Sequence, residues 1–235
     1  MDANALPVSP EDLYARLGTA KAPLLIDVRR HEAFDPGQLL IIGVHGHEVS
    51  QGVASTLRGA GMSASYLAGG FAGWQERKLP TRLKRDASEN KWVTREHPKI
   101  DRIACPWLIS RFVNPEAEFI YVPAAEVSNV AANVGGTPYD IDNVKFGHVG
   151  NRCSFDAIVD AYGIQDPALD RLATIVRGAD TSRPDLTPQG EGLLAISQGL
   201  SANFPDDHEM LKHGLVMYDA LYTWCRMQVD GKGAH

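Results

Sequence analysis

Between Lys78 and Lys91 the apolar patterning of the chain stops. The stretch is charged and polar, with few large apolar residues, so it offers no face to bury and reads as a linker. A chain of 235 residues interrupted there folds most simply as two units, each with its own core. The expected layout is a first domain over 1–82, a linker over 83–90, a second domain over 91–227 and a flexible tail over 228–235. With 44% apolar and 22% charged residues, both parts can build a core.

Before the break, strand and helix signals alternate. Ser9-Pro10-Glu11-Asp12 opens a helix: Ser9 caps it, Pro10 fits the first turn, and the acids face the positive end of the dipole. Leu24–Val28 and Leu39–Val44 are short apolar runs that read as buried strands, and Ala64–Leu67 is a third. Residues 51–60 put Val53, Leu57 and Ala60 on one helical face, ended by Gly61. This alternation implies an α/β domain, a parallel sheet flanked by helices.

After the break the pattern is mainly α, in an α+β arrangement. Strands are expected at Trp92–Thr94 and Phe119–Val122, with an irregular or short-strand segment at Tyr139–Phe146. Helices are expected over Asp101–Phe112, 124–134, Ser154–Tyr162, Pro167–Arg177, Leu186–Leu200 and Asp206–Cys225. Pro106 is expected to break the first of these, which would make Cys105 a helix cap. Trp107, Tyr218, Tyr222 and Trp224 are expected in the core.

Composition narrows the function classes. A formal charge of -6 and a pI near 5.7 argue against a nucleic-acid surface. Cys105, Cys153 and Cys225 are odd in number and far apart, which fits a reducing compartment rather than a disulfide framework. Met1–Pro10 has no basic stretch followed by an apolar one, and no apolar run approaches the ~18 residues of a membrane span. A cytoplasmic protein without membrane partners is the expectation. No nucleotide-binding glycine motif is present, so no nucleotide cofactor is expected.

Three motifs of the first domain resemble a rhodanese domain, over roughly residues 8–81. They are Leu25–Arg29 followed by Glu32 and Phe34, the loop Gly43–Ser50 leading into a helix, and Tyr66–Trp74 followed by Leu79-Pro80. That resemblance implies a catalytic cysteine at the start of the loop, where Gly43 or Val44 stands here. A rhodanese-like domain without its nucleophile is therefore expected, inactive as a sulfurtransferase. The segment between Arg29 and the loop is short for that family, so a strand or helix of the family fold is expected to be missing or disordered there. His45 and His47 could add donors for an anion at the loop, or the loop could be kept for folding or dimer contacts; as a metal site the pair is incomplete.

The second domain resembles the C-terminal domain of the chromate resistance protein ChrB family. The stretches that carry this are Trp92–Arg95, Asp101–Ile109 with Arg111-Phe112, Phe146–His148, Arg152–Phe155, Ile175–Thr181, Asp207–Glu209 and Tyr218–Tyr222. The resemblance implies a role in chromate resistance or stress response, as a sensor or accessory that binds an oxyanion (chromate or sulfate) or a metal. Longer regulators of that family carry a DNA-binding domain where this chain has the rhodanese-like one.

The residues themselves leave several chemistries open. His148 and Cys153 flank the turn at Gly150; with Asp180, placed in a glycine-containing loop, and His208 they would suit zinc or another divalent metal. Arg95, Arg102, Arg152 and Arg177 are candidates for an oxyanion pocket. An enzyme of unknown reaction, dependent on that metal or on a cysteine, is an alternative, with Cys105 at a helix start and Arg102 as its catalytic residues. Otherwise Cys105 is a buried small apolar residue. Glu209 and His213 read as a plain helix pair and Cys225 as structural. An interaction scaffold without a site is the remaining reading.

Overall fold

A computed structural model describes residues 6–17, 23, 25, 46–81 and 90–231. The chain divides into two compact units: Met1–Arg85 with Ile164–Asp166, and Asp86–Gly163 with Pro167–His235. Among the described residues the architecture is mixed α/β with small parallel sheets, and no helix is long and apolar enough to cross a membrane.

In the first unit, β1 (Leu6–Val8) pairs in parallel with β2 (Ser65–Leu67), in the register Leu6↔Ser65 to Val8↔Leu67. Between them in sequence lie α1 (Pro10–Arg16) and α2 (Glu48–Gly59), and α3 (Gly70–Glu76) follows β2. The Ser9 hydroxyl accepts from Asp12 N at 3.0 Å, so the local start signal is realised. Leu13, Leu67, Phe71 and Trp74 form the core, and Trp74 Nε1 donates to Pro80 O at 2.9 Å. Gly46 is required by close approach: a Cβ there would lie 2.5 Å from Leu67 O, and its φ is +67°. β1 was not anticipated, because three residues including Pro7 carry no readable period. The strands expected at Leu24–Val28 and Leu39–Val44, with Gly43, Val44 and His45, fall in segments lying outside the described residues apart from Leu25, which packs on the core. Most of the expected linker and residues 232–235 also lie outside them.

The second unit is built on β3 (Lys91–Arg95), the middle strand of the parallel order β4-β3-β5, with β4 at Glu118–Val122 and β5 at Thr137–Pro138. Trp92, Val93 and Thr94 are fully buried, as a strand covered on both faces requires. α5 (Val127–Val134) packs Val127 and Ala131 on Val93. The rest is helical: α4 (Asp101–Leu108), α6 (Ser154–Ala161), α7 (Pro167–Asp180), α8 (Gln189–Asn203) and α9 (Asp207–Val229). α9 crosses α4 closely at Gly214, where a Cβ would lie 2.3 Å from Ile103 Cγ2.

Four expectations are corrected here. Pro106 does not break its helix. It cannot donate to the carbonyl of Arg102, but Tyr121 Oη does so at 3.3 Å, and α4 runs on into a π-helical turn at Ile109–Val113. Cys105 is thus a buried mid-helix residue and not a cap. Asp180 ends α7 and does not lie in a loop; α7 continues past Arg177 because Gly178 and Gly190 let α7 and α8 touch at the backbone. Trp224 is only half-buried, under the guanidinium of Arg171 at 5.1 Å, and α9 runs past Met227 to Val229, into the expected tail.

Candidate functional site

Four segments of the second unit bring ionisable side chains to one point. Asp101 is the first residue of α4. Asp140 follows β5 in a left-handed conformation (φ +53°), and its neighbour Tyr139 is fixed to β3 through Thr94 Oγ1, which donates to Tyr139 O at 2.9 Å. His148 lies in the loop before α6, and Asp180 ends α7. The approach to Asp101 is strained: His97 and Ile100 have φ of +54° and +31°. Such non-glycine residues cost about 1–3 kcal/mol each and gather at functional sites.

The imidazole is the meeting point. His148 Nε2 lies 3.1 Å from Asp180 Oδ2, 3.2 Å from Asp140 Oδ1 and 3.6 Å from Asp101 Oδ2. Asp101, His148 and Asp180 each offer an atom able to bind a metal, all within 4.8 Å of one another. The Asp101 side chain is fully buried, whereas 40% of the His148 side chain is exposed, so the cluster opens to solvent on the histidine side.

Asp101 has a second attachment. Its Oδ2 accepts from Ser154 N at 2.5 Å and Phe155 N at 3.3 Å, the first two amides of α6. A carboxylate from one helix thereby satisfies the start of another and meets its positive dipole end. Its other oxygen, Oδ1, is buried without a hydrogen-bond partner.

The carboxylates differ in electrostatics. Arg95 Nη2 and Arg102 Nε stand 2.9 and 3.2 Å from Asp140 Oδ2. Burial works to raise the Asp140 carboxyl, but hydrogen bonds from His148 and Arg95 win and hold it below the usual range. Asp101 is pushed well up by burial first, then by the charges of Asp180 and Asp140. Asp180 is raised by burial and by Asp140. The hydrogen bond to Asp140 leads in lifting His148 to about 9, with burial opposing and the charges of Asp180 and Asp101 assisting.

The other candidates find structural uses. Arg177 clamps Asp156 through two bonds of 2.8 and 2.6 Å, and Arg152 meets Asp160 at 2.8 Å. The four arginines therefore serve two separate sets of carboxylates and do not converge on one anion pocket. Cys153 caps α6; its N donates to Asp156 Oδ2 at 3.0 Å, and its thiol is pushed up by burial and by the charge of Asp101. It neighbours Asp101 but stands outside the three-residue ligand cluster. His208 lies elsewhere, at the start of α9, with its ring edge on Tyr121 at 5.5 Å. The Cys105 thiol is buried in mid-helix and is pushed well up by that burial, then by the charge of Asp101. Arg111, in the π-helical turn after α4, grips Asp219 at 2.9 and 3.0 Å. In the first unit, His47 caps α2 beside a groove lined by Gly46, Gln51, Gly69 and Arg77. His45 lies outside the described residues.

Asp101 and Asp140 were missed as site residues. Asp101 read only as a helix boundary, and Asp140 sat in an irregular stretch; the one available signal was an aspartate beside an arginine in a helix start that nothing local needed.

A family model described as "ChrB, C-terminal domain" matches residues 92–225. Protein ChrB of Cupriavidus metallidurans is 31% identical over 155 residues, covering 66% of this chain and 45% of that protein. The chain thus spans less than half the length of this relative. No solved structure matches. Asp101, Asp140, His148 and Asp180 all fall inside the matched span, and the chain belongs to the ChrB C-terminal domain family.

Proposed function

We propose that this chain acts in chromate resistance as a sensor or accessory protein, with the cluster around His148 as its responding centre. The carrying observation is that one imidazole nitrogen lies within 3.6 Å of carboxylate oxygens from three separate segments, all inside the family span. Charges gathered and partly buried in this way are costly to fold around and are found at functional sites. The family supplies the chromate context.

The first unit, in this reading, is a rhodanese-like domain that carries no sulfur. All three cysteines of the chain lie in the second unit, so no thiol is available there for a persulfide. The loop at Gly46 closing on the 67–70 turn and the parallel pairing of β1 with β2 support the rhodanese-like reading. Cys105, Cys153 and Cys225 are buried and none of them is joined in a disulfide, which supports a reducing compartment.

The test is growth at inhibitory chromate of a sensitive host expressing the full chain. The wild-type chain is expected to restore growth, His148→Ala and Asp180→Asn to lose the effect, and His47→Ala to keep it. Full protection by His148→Ala would overturn the assignment of the centre.

A further inference from the structure

We propose that Asp101, His148 and Asp180 form a divalent-metal centre of oxygen and nitrogen donors, with its remaining coordination positions open to solvent. This rests on the cluster being the functional centre of the second unit, and it commits that cluster to a ligand.

Two independent features point to a cation. The first is geometry: three donor atoms from three separate segments lie within 4.8 Å of one another, the span that ligands of one ion occupy. The second is the Asp101 Oδ1 atom, which is buried without a hydrogen-bond partner. A buried carboxylate oxygen left bare is costly, and a metal ion satisfies it. The Ser154 and Phe155 amides at the dipole end of α6 hold Oδ2, the oxygen that lies 3.6 Å from His148 Nε2, and so fix the carboxylate beside the imidazole.

The charges fix the class of ion. In the state that ligates an ion, with His148 having given up its proton and the three carboxyls ionised, Asp101, Asp140 and Asp180 against Arg95 and Arg102 leave one net negative charge. Both arginines lie on Asp140, so the attraction for a cation concentrates on Asp101 and Asp180. A divalent ion there turns the centre positive by one, which favours water ionised to hydroxide, or an anion, in the open positions. Asp140, kept ionised by its arginines, then stands beside the ligating nitrogen as a neighbouring negative charge, its hydrogen bond with Nε2 given up when that nitrogen binds an ion. The donor set contains no thiolate: Cys153 lies beside it and His208 away from it. Oxygen and imidazole donors with an accessible face suit manganese, iron or zinc in an exchangeable site, not a closed structural one.

The test uses the full chain. After chelation and dialysis, Zn²⁺ and Mn²⁺ are titrated separately by calorimetry, and Co²⁺ is added for its absorption spectrum. About one ion per chain is expected, with affinity falling about a hundred-fold or more in His148→Ala and Asp180→Asn, and unchanged in His208→Ala. Cobalt is expected to give no thiolate-to-metal charge-transfer band. Absence of stoichiometric binding, undiminished affinity in His148→Ala, or a thiolate band would each overturn the proposal. His148 is half-exposed, so His148→Ala disturbs the core less than the more buried ligands would, and its far-UV circular dichroism is matched to the wild type before titration. Chromate tolerance separates the two readings. Tight metal binding with tolerance intact in His148→Ala would uphold the metal site and sink the role in resistance. Tolerance lost without any metal binding would do the reverse.

Discussion

His47 and His148 occupy the same kind of place, a turn leading into a helix, and their surroundings differ in kind. Around His47 the polar groups serve the backbone: Gln51 Nε2 donates to Gly46 O at 2.8 Å and Ser50 Oγ donates to His47 O at 3.1 Å. Around His148 they are carboxylates from three segments far apart in sequence. A histidine at a turn becomes a candidate centre through the charges that tertiary structure brings to it, not through its local position. Those charges are also what the second unit must be built to hold, so the two regions should respond very differently to substitution.

The largest difference is expected at Asp101. Asp101→Ala leaves the Ser154 and Phe155 amides buried without an acceptor, and should cost the full chain about 2–4 kcal/mol in denaturant unfolding. His47→Ala, at an exposed cap without a side-chain cap bond, should stay within about 0.5 kcal/mol. Asp101→Asn keeps an acceptor for the amides and removes like-charge repulsion, so the metal-free protein should lose little or gain. Equal losses for Asp101→Ala and His47→Ala would break the contrast.

Next comes the α4–α9 crossing. Gly214→Ala sets a methyl 2.3 Å from Ile103 Cγ2, and should cost about 1–3 kcal/mol even though alanine is the better helix former. Because Asp101 opens α4, the same variant should weaken metal binding without touching a ligand. Unchanged unfolding would mean that α9 does not fix α4.

The pH dependence tests the charges themselves. His148 has a folded-state value raised to about 9 against an ordinary 6.5. A raised value means that the folded state holds the proton more tightly, so the stabilisation is full below about 6.5 and is lost as pH rises through about 9. The raised carboxyls of Asp101 and Asp180 act in the same sense, their contribution being lost as pH rises above the ordinary carboxylate range. The melting temperature of the chelated chain should therefore fall between pH 6.5 and 9, and His148→Ala should flatten that slope. A slope of opposite sign would show that the carboxylates do not face the imidazole in solution.

What could be read from sequence follows how local its cause is. The Ser9 cap lies within four residues of its partner, and the apolar runs Trp92–Thr94 and Phe119–Val122 sit where β3 and β4 lie. β1 and β5 are too short and too proline-bearing to show a period. The misread break at Pro106 has a distant cause, since the freed carbonyl of Arg102 is taken by Tyr121 on another element. The site follows the same rule. His148 and Asp180 attract notice by residue type near glycines, whereas Asp101 and Asp140 are ordinary acids until the fold sets them beside the imidazole.

The smallest effect tests the same rule from the first unit. Gly52 lies inside α2, exposed, with nothing within 4 Å of the place a Cβ would take. Glycine there has more backbone freedom to lose on folding than alanine, and its φ is not in the left-handed region. Gly52→Ala should thus stabilise the chain by about 0.5–1 kcal/mol, read as a rise in denaturant midpoint at unchanged slope. Gly214→Ala makes the same chemical change and should move the midpoint the other way, because what a methyl meets, and not the residue lost, decides the sign. If Gly52→Ala destabilises instead, α2 packs against something its exposed surface does not show.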